Sequence, residues 1–100
     1  MPFTFAQLNL ELTCGSCPVQ YEGQLPNGDW VYFRSRHNAW ECNIAPTLDE
    51  AIDNQGSFHA GGDYGIERED AGYMPHALAE TIITACVNIY ADTQGGDHAA

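Results

Sequence analysis

Near the start of the chain Ala6, Leu8, Leu10 and Leu12 alternate with Gln7, Asn9 and Glu11, and a strand sends successive side chains to opposite faces. The pattern predicts a half-buried strand from about Thr4, with Phe3 and Phe5 on its other side. Two further apolar alternations, one over Val19 to Leu25 and one over Asp29 to Arg36, flank Pro26-Asn27-Gly28. A two-residue type I′ turn on Asn27-Gly28 would set Pro26 in the ladder and put Tyr21 and Leu25 on the face opposite Val31 and Phe33. A three-residue loop with Gly28 left-handed in a G1 bulge suits every residue and aligns Val19, Tyr21 and Leu25 with Val31 and Phe33. The bulged turn is therefore expected.

A second hairpin is expected to turn at His37-Asn38, with Trp40, Cys42 and Ile44 continuing the apolar face beside Val31 and Phe33. The reverse face then carries Gln20, Glu22, Gln24, Trp30, Tyr32, Arg34, Glu41 and Asn43, with Arg34 across from Glu41 and near Gln20. Trp30, Tyr32 and Arg34 are residue types enriched at interface hot spots, and alternation puts all three on one side of one strand. A helix, a loop or a second copy could equally cover them.

Thr47-Leu48-Asp49-Glu50 reads as a capping box opening a short helix to about Asn54, with Gly56 as its stop. Residues 56–74 are rich in Gly, Asp and Glu without a clear period, the mark of a long irregular segment of the kind that often carries function. From Pro75 to about Ala91 apolar residues recur at helical spacing: Leu78, Ile82, Cys86 and Ile89, flanked by Ile83, Ala85, Val87 and Tyr90. The expected fold is α+β: a four-stranded antiparallel sheet with a C-terminal helix packed on one face and a short crossover helix. Residues 1–92 form a single domain, and 93–100 a flexible tail.

Charge narrows the partners. Fourteen acidic residues stand against Arg34, Arg36 and Arg68, with no lysine, and the formal net charge is -11. Such a surface disfavours direct binding to nucleic acid or to an anionic membrane, and suits a basic partner. An acidic balance also serves solubility alone. No apolar run approaches membrane-span length and no leader pattern is present, so the expected location is cytoplasmic. A homodimer is left open.

Cys14-Gly15-Ser16-Cys17 has the spacing of a redox dithiol or of half a zinc site. A redox pair wants a helix N-terminus to lower the first thiol's pKa, and here Pro18 and another strand follow. Structural zinc needs four ligands, and a second C-x-x-C knuckle is absent. Cys14 and Cys17 are the ligands such a site would use, while Cys42 and Cys86 fall on apolar faces where cysteine acts as a small hydrophobe. No cofactor is expected, with zinc the one the pair would allow. Asp63, Glu67, Glu69 and Asp70 form an acidic loop without EF-hand spacing, and Gly61-Gly62-Asp63-Tyr64-Gly65 lacks the lysine of a phosphate loop. The four histidines are isolated. No nucleophile–base order stands out, so an enzyme is not expected.

The segment Cys14-x-x-Cys17-Pro18-Val19-Gln20-Tyr21-Glu22-Gly23, the stretch Val31-Tyr32-Phe33-Arg34-Ser35-Arg36 ending in Trp40, and Ala71-Gly72-Tyr73-Met74-Pro75 before a final helix together resemble small acidic proteins of tailed phages and bacterial mobile elements. The resemblance implies an anti-defence setting, in an infected bacterial host, of which anti-CRISPR inhibitors that occlude basic, nucleic-acid-binding surfaces are an example. The expectation is a phage-type inhibitor docking on a host protein or nucleoprotein complex through Gln20, Glu22, Trp30, Tyr32, Arg34, Glu41, Asp63, Glu67, Glu69 and Asp70. The alternatives are a zinc-stabilised interaction module built on Cys14 and Cys17, and an oligomeric small-molecule sponge using residues 56–74.

Overall fold

The computed structural model describes residues 2–56, 58–65 and 70–99, of which 94–99 as backbone only. It is an α+β fold whose five strands form one antiparallel meander in the order β1-β2-β3-β4-β5. The strands are β1 (Glu11–Gly15), β2 (Val19–Gln24), β3 (Trp30–Arg36), β4 (Ala39–Ala45) and β5 (Phe58–Asp63). A one-turn helix, α1 (Phe5–Leu8), precedes the sheet; α2 (Leu48–Ile52) links β4 to β5; and α3 (His76–Ala99) crosses one face.

The central strands follow the predicted register. Leu25 N–H donates to the Asp29 carbonyl at 2.7 Å and Gly28 N–H to the Leu25 carbonyl at 2.9 Å. Gly28 takes φ 96°, a region that strains any L side chain, so the three-residue bulged loop closes as its residues demand. Tyr21 then pairs with Phe33, and Phe33 with Cys42. At the second hairpin Arg36 pairs with Ala39, and His37 absorbs the turn with φ 60°.

Val19, Tyr21, Val31, Phe33, Cys42 and Ile44 face α3 and are buried. Tyr21 meets Phe5 and Phe33 edge-on, with centroids 5.5 Å and 6.3 Å apart, while Phe33 stacks on Trp40 at 6.2 Å. A 3-10 turn over Asp70–Tyr73 closes the hairpin end of this core. It is held by Ala71 N–H to the His37 carbonyl at 2.8 Å and by Cys17 N–H to the Gly72 carbonyl at 2.7 Å. A Cβ on Gly72 would come within 3.1 Å of the Cys17 Sγ and 3.2 Å of its Cα, so a larger residue would wedge this corner apart.

Three expectations need correction. The N-terminal alternation does not make one long strand: Thr4 caps α1, its N–H donating to Gln7 Oε1 at 2.9 Å, and Asn9 ends the turn with φ 55°. Leu8 is thereby buried, whereas Leu12 on edge strand β1 is 42% exposed. The segment 56–74 is not irregular throughout, because β5 adds a fifth strand where four were expected, pairing from Ile44↔Phe58 to Ala39↔Asp63. Finally, α3 does not stop near Ala91 but continues to Ala99. Its buried stripe is Ala79, Ile83, Cys86, Val87 and Tyr90, one step around the helix from Leu78, Ile82 and Ile89.

The Tyr21 hydroxyl donates to Glu80 Oε2 at 3.0 Å, tying β2 to α3. Burial, reinforced by the Glu80 carboxylate, pushes its phenol up from 10.0 to about 12. A raised native pKa means the folded chain holds a proton that the unfolded chain has released, so stability is intact below pH 10 and declines as pH rises toward 12. No lysine titrates in that window. Urea midpoints measured at pH 9 and pH 11 are therefore expected to fall less for Tyr21→Phe than for the wild type. At neutral pH, Phe33→Ala is expected to cost about 3–5 kcal/mol in urea unfolding. Leu12→Ala should stay within about 0.5 kcal/mol, the reverse of what strict N-terminal alternation implies.

Candidate functional site

The face of the sheet turned away from α3 gathers six of the ten residues expected to dock a partner. Register places Gln20 opposite Arg34, Arg34 opposite Glu41, and Glu22 opposite Tyr32, with Trp30 one step along β3. All six sit on the three central strands, where paired neighbours on both sides hold the backbone.

Their side chains form a connected polar layer. Gln20 Nε2 donates to Glu22 Oε2 at 2.8 Å and to Thr13 Oγ1 at 3.1 Å, and its Oε1 accepts from the Tyr32 hydroxyl at 3.4 Å. Asn43 Nδ2 donates to Glu41 Oε1 at 2.8 Å and to the Ala51 carbonyl at 2.9 Å, while its Oδ1 meets His59 Nδ1. Asn43 is 1% exposed, and its bond to the Ala51 carbonyl is made away from bulk water. His59 joins this face although alternation in the sequence does not point to it. Its signal lay only in the pairing Asn43↔His59, which requires β5 to be a strand.

The face is not bare. Thr47 N-caps α2, its Oγ1 accepting from Glu50 N–H at 3.2 Å, as the Thr-x-x-Glu spacing predicts, although the helix ends at Ile52 instead of near Asn54. Asn43 ties that helix down, and Ala51 packs with Ala45 against Tyr32. Tyr32 is consequently 5% exposed, which removes its ring from the accessible surface. Burial raises its phenol pKa, with Glu41 and Glu22 adding to the rise and Arg34 opposing it. Trp30, Gln20, Glu22, Arg34 and Glu41 remain half-exposed.

At the hairpin end of the same face lies an open depression of about 350 Å³ lined by Arg34, Arg36, His37, Ala39, Trp40 and Glu41. Ala39 forms a low floor between longer side chains. The Arg34 Nε is buried and has no acceptor among the described residues. The face therefore offers Glu22 and Glu41 to cations and two guanidinium groups to an incoming carboxylate.

The remaining residues lie elsewhere. Asp63 is exposed at the end of β5, and Asp70 opens the 3-10 turn at the hairpin end of the core. Glu67 and Glu69 lie outside the described residues. Cys14 sits on β1, its Sγ against the Ser16 carbonyl at 3.4 Å, and the exposed Cys17 takes φ 49° before a cis bond to Pro18. His76 Nε2 meets the Gly15 carbonyl at 2.9 Å beside them. Among the described residues no group of three or more His, Cys, Asp or Glu is placed to hold a metal ion. Cys42 and Cys86 are buried, as their apolar positions predict, and contact with Cys86 together with burial pushes the Cys42 thiol up. Among the described residues no helix is long and apolar enough to cross a membrane.

Removing the Asn43 amide would take a donor from Glu41 and from the Ala51 carbonyl, which keeps only the Asn54 N–H at 3.2 Å, and would strip His59 Nδ1 of its partner. Asn43→Ala is expected to cost about 1–3 kcal/mol in urea unfolding. It should also speed hydrogen exchange at the α2 amides over Leu48–Ile52 at least about tenfold, whereas Gln24→Ala at the exposed end of β2 should do neither.

No protein-family model, no curated protein and no solved structure matches this chain.

Proposed function

We propose that the protein is a non-enzymatic binding module that docks on a basic, nucleic-acid-binding surface of a larger protein or nucleoprotein complex and occludes it. The docking surface is the part of the outer sheet face that α2 leaves open: Gln20, Glu22, Trp30, Arg34 and Glu41. Tyr32 contributes from beneath, through its bond to Gln20. The observation that carries this reading is the charge, fourteen carboxylates against three arginines and no lysine. A field of that sign speeds encounter with a cationic surface and repels the nucleic acid that competes for it.

Rigidity supports the same reading. Glu22 and Glu41 stand on internal strands and are each held by a neighbouring amide, so ordering them on docking costs little further entropy. Trp30 supplies a broad half-exposed ring beside them, of the kind that anchors interfaces. Arg34 and Arg36 receive a carboxylate from the partner, which sets orientation against a background of like charge. The resemblance to phage and mobile-element proteins makes a host-defence complex, such as a CRISPR effector, the target class, and the bacterial cytoplasm the place of action.

The reading is tested by titrating the protein against purified CRISPR effector complexes in competition with their DNA. Binding is expected to exclude DNA and to weaken at least tenfold between about 50 and about 300 mM salt. Trp30→Ala should weaken it by about thirtyfold, and Glu22→Gln with Glu41→Gln by about tenfold. Binding that is indifferent to salt and to all three substitutions would overturn the assignment of this face.

A further inference from the structure

The far edge of the sheet is built to pair with itself. Among the described residues β5 has β4 on one side and no strand on the other. Tyr64 N–H donates to the Asn38 carbonyl at 2.7 Å, which sets the phase of the ladder. Antiparallel pairing alternates along a strand, so the backbone groups of His59, Gly61 and Asp63 point out from the open edge. Residues 58–63 contain neither proline nor lysine, the two residues that most often blunt such an edge.

A second feature lies on the same side of the molecule. Around α3, Asn88 bonds Phe3 in the N-terminal segment, Glu80 bonds Tyr21 on β2, and Cys86 meets Cys42 on β4. The next stripe in that sequence, Leu78, Ile82 and Ile89, is therefore turned toward β5. Leu78 is 37% and Ile89 56% exposed, and the strand's inner-face residues Phe58 and Ala60 are half-buried, with Phe58 edge-on to Tyr90 of α3 at 6.1 Å.

We propose that two copies of this chain pair antiparallel through β5 about a twofold axis at Gly61, joining their sheets into one. An axis normal to the sheet keeps inner faces together, which permits pairing centred on Ala60 or on Gly61. Centring on Ala60 sets His59 against Gly61 and Phe58 against Gly62. Centring on Gly61 sets His59 of each copy against Asp63 of the other, giving two imidazole–carboxylate pairs across the axis. His59 Nδ1–H donates to Asn43 Oδ1, so Nε2 donates to the carboxylate when the ring is the doubly protonated imidazolium.

The pair carries twice the -11 charge of one chain, yet physiological salt screens repulsion beyond about 8 Å. Within that range β5 opposes unlike groups. Both α3 helices lie on one side, where their apolar stripes close over Phe58 and Ala60 of the two strands. Both outer faces lie on the other side, side by side and unobstructed. This assembly does not depend on the docking reading.

Sedimentation equilibrium of the full chain from about 1 to about 100 μM tests it. The expected mass is twice 11.0 kDa. Ile89→Glu should give a monomer with unchanged circular dichroism and melting temperature, and Leu78→Glu serves as the second variant should the first fail to fold. Asp63→Lys should weaken the dimer about tenfold. A monomer at every concentration, or a dimer unmoved by Ile89→Glu and Leu78→Glu, would overturn the interface. A dimer indifferent to Asp63→Lys alone would overturn the register.

Discussion

The pairing of Tyr21 with Phe33 and of Phe33 with Cys42 is the constraint on which the rest of the molecule depends. A slip of one residue in either hairpin would carry Phe33 or Cys42 to the outer face and bring Arg34 or Glu41 into the core. Two turns prevent the slip: the bulged loop ending at Gly28, and the tight turn in which His37 takes φ 60°. With those turns set, the aromatic layer of Phe5, Tyr21, Phe33 and Trp40 forms under α3 on one side. The acidic and guanidinium groups of the candidate site are left on the other.

Asn43 links that register to the site. It reaches Glu41 on its own strand, His59 on β5 and the Ala51 carbonyl of α2, so one buried amide holds the crossover helix and orients a carboxylate. Buried polar groups of this kind specify geometry because each missing partner is costly. The face thus combines a covered half, around Tyr32 and α2, with an open half around Glu22, Arg34 and the depression beside Ala39. The proposed function uses the open half. The proposed self-pairing uses the opposite edge, so one molecule can do both.

The two hairpins, the faces they create and the cap at Thr47 were legible in the sequence, because alternation and turn residues agreed there. Elsewhere local signals competed. Ala6, Leu8, Leu10 and Leu12 alternate as a strand should, but the Thr4 cap and the left-handed Asn9 act first. In β5 only Phe58 and Ala60 mark the inner face among glycines, too little pattern to detect without β4 beside it. On α3 the apolar arc is broad enough that Leu78, Ile82 and Ile89 compete with Ala79, Ile83 and Tyr90 for the core. Packing, not periodicity, decided between them. The burial of Tyr32 and the Asn43 hub arise from tertiary contacts that no spacing encodes.

A cationic partner is proposed to bind on the open half of the outer sheet face. Backbone amide chemical-shift mapping of the labelled protein during titration with an arginine-rich peptide addresses it residue by residue. Shifts are expected to concentrate at Gln20, Glu22, Trp30, Arg34 and Glu41 and to fade as salt is raised. Shifts spread evenly over all the carboxylates, or confined to β5 and α3, would contradict it.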